Sequence, residues 1–225
     1  MTTGKIGRPK AVIFDMDGTL FETDTLLVNV HERVFKTLRE EGLYLAETPP
    51  VDKMLASLGM ILDDLWKQVM PGASEAARQR ADVLLLQYEL EGLVAGEGQL
   101  YPHVKETLEA LHADGIKLFV ASNGLEDYVK GVALHKEIAP LFEGLYSAGE
   151  FETASKVDLV AKLMNDHGLQ AGDAWMVGDR SSDVEAGKSN GLKAIACAYA
   201  QYGRDSELEG ADVHIHDFKS LLNLY

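Results

Sequence analysis

Only one cysteine, Cys197, occurs in 225 residues, so no internal disulfide can form. Its neighbours Ile195, Ala196 and Ala198 point to a buried thiol on a strand, which suits a reducing compartment. Apolar runs are short: no stretch approaches the roughly 18 residues that mark a membrane span. The polar segment Met1 to Lys10 contains no apolar signal region, and the expected location is the cytoplasm. Cations are scarce as well. Lys and Arg number 21 against 36 Asp and Glu, giving a formal net charge of -15, which disfavours nucleic acid and anionic lipid as partners. The seven histidines fall at no metal-ligand spacing, with His214 and His216 reading as exposed strand positions around Ile215. There is no repeat and no low-complexity tract.

What is present is globular. Apolar residues make up 46% of the chain and charged residues 25%, which at this length builds one substantial core with a modest insert rather than two full-size domains. Ala11-Val12-Ile13-Phe14 is an apolar run that stops at acids and Gly18, the pattern of a buried parallel strand. From there to about Gly98 the periodicity is helical. Leu27, Val30, Val34 and Leu38 share one face of a helix stopping at Gly42, and helices are expected over Val51–Leu58, Ile61–Met70 and Ser74–Leu90, separated by Pro49-Pro50 and Pro71-Gly72. Trp66 falls on an apolar helix face with Leu62 and Met70 and reads as core of this helical part.

After Gly98 strands and helices alternate. A helix opening at Pro102 and closing at Gly115 leads to a strand over 116–121; further strands are expected at Leu145–Ala148, Ala174–Val177 and Lys193–Cys197, with helices at Leu125–Leu134, Lys156–His167 and Ser182–Asn190 between them. Such alternation predicts an α/β fold, a Rossmann-like parallel sheet flanked by helices. Residues 1–20 and 98–225 form its core, and residues 21–97 an inserted all-helical subdomain.

In an open parallel sheet ligands bind beyond the carboxyl ends of the strands. There the sequence places Asp15-Met16-Asp17-Gly18-Thr19 after the first strand, Ser122-Asn123-Gly124 after the second, and Gly178-Asp179-Arg180-Ser181-Ser182-Asp183 after the fourth. These residue types suit phosphoryl transfer. Asp15 and Asp17 are two apart, so in extended backbone their side chains point the same way, one to attack phosphorus and one to handle the leaving-group proton. Asp179 and Asp183 add hard oxygen ligands of the kind magnesium takes. Ser122 offers a hydroxyl, and the backbone N–H groups of Asn123 and Gly124 are candidates to face phosphate oxygens at a helix start. Lys156, at another helix start, supplies the cation that a phosphate site in so acidic a chain requires. Thr19 is assigned to the phosphate-binding set with Ser122 and Asn123, through hydrogen bonding and loop shape.

In order and spacing these segments resemble the four motifs of the haloacid dehalogenase superfamily. Asp15, Asp17 and Thr19 match its Asp-x-Asp-x-Thr, Ser122 its second motif, Lys156 its third, and Gly178-Asp179 with Asp183 its fourth. The resemblance implies attack by Asp15, an aspartyl-phosphate intermediate, and acid/base service by Asp17. It also implies magnesium held by Asp15, the Asp17 main-chain carbonyl and Asp179, with Asp183 in support. The helical insert looks like the family's cap, in which the loop Leu58-Gly59-Met60 lies where relatives present a substrate-facing turn, although simple packing accounts for such a turn equally well.

Within the family the chain looks most like the phosphoglycolate phosphatase and β-phosphoglucomutase branch. Dehalogenases and phosphonate-cleaving members lack the second Asp, present here as Asp17. Mutases place a His ten residues after that Asp, where this chain has Leu27, and their third motif is Lys-Pro where this chain has Lys156-Val157. The implied activity is hydrolysis of a small phosphorylated metabolite such as phosphoglycolate, a sugar phosphate or a nucleotide. A mutase and a non-catalytic regulatory binding protein are the alternatives. A monomer is expected, with a dimer as the alternative.

Overall fold

The computed structural model describes residues 5–60, 62–200 and 205–225. Six parallel strands form the central sheet: β1 (Ala11–Phe14), β4 (Lys117–Ser122), β5 (Gly144–Ser147), β6 (Ala174–Gly178), β7 (Lys193–Cys197) and β8 (Val213–Ile215). Their spatial order is β5-β4-β1-β6-β7-β8. The chain builds outward from β1 on one side, then crosses back to β6 on the other. β1 is therefore the topological switch point, where the strand ends open into a crevice.

Alternation along the strands explains why the sheet is covered on both faces. Val12 and Phe14 of β1 join Val120, Val177 and Ile195 in one buried cluster. Ala11 and Ile13 join Phe119, Ala121 and Met176 in the other. The second face is covered by α8 (Lys156–Asp166) and α9 (Ser181–Ser189), which pack on each other and on the strands. The first carries α5 (Val104–Ala113) and α6 (Glu126–His135).

Between β1 and α5 the chain is helical: α1 (Asp24–Glu40), α2 (Val51–Leu55), α3 (Leu62–Val69) and α4 (Glu75–Val94). Helices α1 and α4 pack along each other, and Ser74 caps α4 by accepting from Ala77 N–H at 3.2 Å. Trp66 is fully buried against Phe35, as the apolar face of α3 predicts. The cluster holding these side chains is continuous with one face of the sheet. The α/β expectation holds, with three corrections. Phe21–Glu22 and Gln99–Leu100, read as helical insert and connection, pair as a short antiparallel ribbon, β2 and β3. Val213–Ile215 is a sixth strand beyond the five expected; Val213 and Ile215 are buried while His214 faces out, as read for an exposed strand position beside Ile215. Ala148–Phe151 forms a further short helix, α7. All three are too short for a full period of either pattern: the strand segments form because neighbouring strands supply their hydrogen bonds, and α7 is capped by Ser147, whose hydroxyl accepts from Glu150 N–H. Helix α2 ends at Leu55, not Leu58. Ile61, the expected start of the next helix, lies outside the described residues.

Candidate active site

Asp15 and Asp179 directly follow the neighbouring strands β1 and β6, and Ser122 closes β4 on the other side of β1. Carboxylate oxygens of Asp15, Asp179 and Asp183 lie within 4.8 Å of one another. Close approach requires two glycines. A Cβ on Gly18, whose φ is +74°, would stand 2.3 Å from Asp179 Oδ2, and one on Gly178 would stand 2.2 Å from the Asp183 carboxyl. Asp183 lies in the first turn of α9, where its Oδ2 accepts from Arg180 N–H at 3.0 Å. Lys156 is the first residue of α8, a helix capped by Ser155. Its Nζ reaches Asp15 Oδ1 at 2.9 Å and Asp183 Oδ1 at 2.6 Å, both pairs buried.

Asp17 is held separately. Thr23 donates to its Oδ1 at 2.7 Å and Tyr128 at 2.5 Å. Thr19 donates to Asp179 Oδ1 at 3.2 Å, so its hydroxyl braces an acid. Ser122 Oγ accepts from Gly124 N–H at 3.1 Å. The Gly124 N–H, a candidate to face phosphate oxygens, is thereby turned onto the buried Ser122 hydroxyl at the strand end. Asn123 donates through Nδ2 to the Gly59 carbonyl at 2.8 Å, which ties the Leu58–Met60 turn to the strand ends through main chain. Three groups here escaped the sequence reading. Tyr128 lies on an ordinary buried helix face, Glu89 sits among other charges on α4, and Arg180 is a helix-capping position whose Nε lies 3.5 Å from Asp179 Oδ2. Only Arg180, inside the Gly178–Asp183 segment, had a signal in the sequence.

Burial pushes the Asp15 carboxyl well above its usual range; Lys156 opposes that, and Asp183, Asp179 and Asp17 add to it. Burial likewise raises Asp17 against hydrogen bonds from Tyr128 and Thr23. Asp179 is pushed up to about 7, by burial first and Asp183 second. For Lys156 burial works against the charge, but Asp15 and Asp183 outweigh it and raise its pKa. Asp15 and Asp183 thus share buried Lys156 while Asp179 faces Arg180, and Asp15 Oδ2 is buried with no hydrogen-bond partner among the described residues. An all-oxygen donor set short of positive charge fits a hard divalent cation.

A pH dependence follows. Asp179 ionises near 3.8 when exposed and near 7 when folded, so protonated Asp179 contributes stability that is complete below the lower value and lost as pH rises through the higher. With a chelator present, the melting temperature is expected to fall between about pH 4 and pH 7. Divalent cation should offset that fall. A chelated protein whose melting temperature climbs steadily across this window contradicts the assignment.

A family model described as a haloacid dehalogenase-like hydrolase matches residues 9–191. The chain belongs to this family. Among its haloacid dehalogenase-like relatives, a phosphoglycolate phosphatase of Aliivibrio fischeri is 27% identical over 226 residues, covering 95% of each chain. A pyrophosphatase, PpaX, of Halalkalibacterium halodurans is 27% identical over 198 residues, 86% of each. A crystal structure described as a predicted phosphoglycolate phosphatase from Haemophilus somnus superposes with a TM-score of 0.82 at 24% identity, over 97% of this chain and 99% of the other. That likeness shows the haloacid dehalogenase-like fold.

Proposed function

We propose that this protein is a magnesium-dependent phosphatase that hydrolyses a small phosphate monoester through an aspartyl phosphate on Asp15. One observation carries the reading: Asp15 Oδ2 has no partner among the described residues, while Oδ1 of the same carboxyl is fixed by Lys156 and by Met16 N–H at 2.8 Å. One oxygen is positioned and the other is left to react.

Asp15 Oδ2 attacks phosphorus in line with the ester oxygen, forming the aspartyl-phosphate bond as the phosphorus–oxygen ester bond breaks. Asp17, whose carboxyl burial keeps protonated into a higher pH range, gives its proton to the departing alkoxide. It then takes a proton from water as that water attacks phosphorus, which frees Asp15 and inorganic phosphate. Tyr128 and Thr23 hold Asp17 at the angle for both transfers. Lys156 neutralises Asp15 and meets phosphoryl oxygens, and the Ser122 hydroxyl and Asn123 bind the phosphate. Asp15, Asp179, Asp183 and the Asp17 main-chain carbonyl would hold magnesium, which when bound supplies charge neutralisation at the phosphoryl oxygens.

In this reading α1–α4 are a cap that closes over the strand ends and excludes water; the Asn123 contact to Gly59 supports it. Leu27, where a mutase has its His, lines the cavity with an aliphatic side chain, which favours hydrolysis over transfer within a sugar. The buried thiol of Cys197 fits a cytoplasmic enzyme. Among the described residues no helix is long and apolar enough to cross a membrane. The test is phosphate release from a set of phosphorylated metabolites with and without magnesium. Release should require the metal, and hexose 1-phosphate should give phosphate rather than its 6-phosphate isomer. Metal-independent turnover, or net isomerisation, refutes the reading.

A further inference from the structure

The cavity above Asp15 and Asp17 is lined by Leu27, Met54, Leu65, Leu85 and Glu89 from the helical segment and by Tyr128 from α6. The Asp17 carboxyl is anchored there through one oxygen only. Tyr128 donates to Oδ1 at 2.5 Å and Thr23 donates to the same oxygen at 2.7 Å, while no described residue donates to Oδ2. The two anchors come from different parts of the molecule. Thr23 directly precedes α1, where the chain enters the helical segment, and Tyr128 lies on α6 against the sheet. Both side chains are buried, and the Tyr128 ring is wedged beside the end of β4: a Cβ on Gly124 would stand 3.2 Å from Tyr128 Cδ1.

A carboxylate oxygen offers roughly two lone-pair sites. On Oδ1 both are taken by hydroxyl hydrogens, so the proton that Asp17 exchanges has its place on Oδ2. The terminal torsion of an aspartate is broad and two-fold, so the side chain by itself does not fix which oxygen faces the ester. Thr23 alone would leave the carboxyl free to pivot about one hydrogen bond. A second donor, rigidly packed and carried by another element, removes that freedom. The Tyr128 hydroxyl has a single hydrogen and spends it on Asp17, so its effect on the reaction passes through that acid. Resting on the phosphatase reading, we infer that Asp17 Oδ2 is the oxygen that protonates the leaving group and then activates water, and that Tyr128 is the positioning residue that presents it. Asp17 is thereby tied to the sheet as well as to the helical segment.

Tyr128→Phe removes one hydroxyl and keeps the ring. An alkyl phosphate and 4-nitrophenyl phosphate, assayed with saturating magnesium, read its effect, because kcat/KM reports the steps through formation of the aspartyl phosphate. An alkoxide needs its proton as the ester bond breaks; 4-nitrophenolate leaves without one. The variant should lose about 30-fold in kcat/KM with the alkyl phosphate, a part of what a positioned acid contributes, and no more than about threefold with the nitrophenyl ester. Its kcat with the nitrophenyl ester should fall nonetheless, since Asp17 still has to take a proton from the attacking water. Rapid mixing should then show a burst of 4-nitrophenolate ahead of the steady state. Equal losses in kcat/KM for the two substrates mean a structural role and overturn the inference, as does an unchanged value for the alkyl phosphate in the folded variant. Should Tyr128→Phe fail to fold, Thr23→Val, which removes the other donor to Oδ1, must show the same split or the inference falls. Absence of phosphate release from both substrates by the wild-type protein refutes the phosphatase reading instead.

Discussion

Asp15→Asn is expected to lower kcat/KM for an aryl phosphate by about five orders of magnitude or more, the scale seen when a nucleophile is removed outright. The amide has nearly the shape of the carboxylate, so the loss reports chemistry rather than packing. It leaves Asp179 and Asp183 in place, braced by Thr19 and by Arg180 N–H. Thermal stabilisation by magnesium should therefore persist in the variant while turnover disappears. Calorimetry with and without magnesium, beside a phosphate-release assay, separates the two. Full turnover by purified Asp15→Asn removes Asp15 as the nucleophile, whatever the metal does.

Lys156→Met should harm both folding and activity. The Nζ group lies between Asp15 and Asp183, all three side chains nearly inaccessible to solvent. Methionine keeps the length and apolar stem but leaves two buried acids without their cation. Breaking a buried ion pair from one side costs about 3 to 5 kcal/mol, and losing a preorganised charge at the transferring phosphoryl group lowers the rate by about 100- to 1000-fold. The stability loss should shrink at low pH, where Asp15 takes up a proton, and with magnesium, which meets the same acids. Denaturant titration at pH 5 and pH 8 provides the check. A loss of equal size at both values means that Lys156 acts as packing alone.

Particular residues show how much of this was legible in the chain. Asp15, Asp179 and Ser122 were placed by one simple inference: each follows or closes an apolar strand, and parallel strands end at one edge. Lys156 needed only its position at a helix start. Tyr128, Glu89 and the contact of Asn123 to Gly59 resisted for a different reason, although Asn123 itself was read as a residue of the phosphate site. Their spacing in sequence suits an ordinary helix face or turn, and their roles arise from meeting Asp17, the cavity and Gly59 across gaps of 111, 72 and 64 residues. The β2–β3 ribbon was missed likewise, since two residues carry no period of their own, and of the sixth strand only the alternation at His214 and Ile215 was legible.

The amino-acid order by itself therefore determined the alternating α/β core, the convergence of the acids and the lysine at one sheet edge, and the need for added positive charge in a chain of net charge -15. These follow from local periodicity and chain direction, which are written residue by residue. Only the tertiary structure decided which oxygen of Asp15 is left without a partner among the described residues, that Asp17 is gripped by Tyr128, and that Glu89 lines a largely apolar chamber holding no described cation. Partners, burial and local dielectric belong to groups brought together from distant segments. Packing sets them, and packing is not a property of any one stretch of chain.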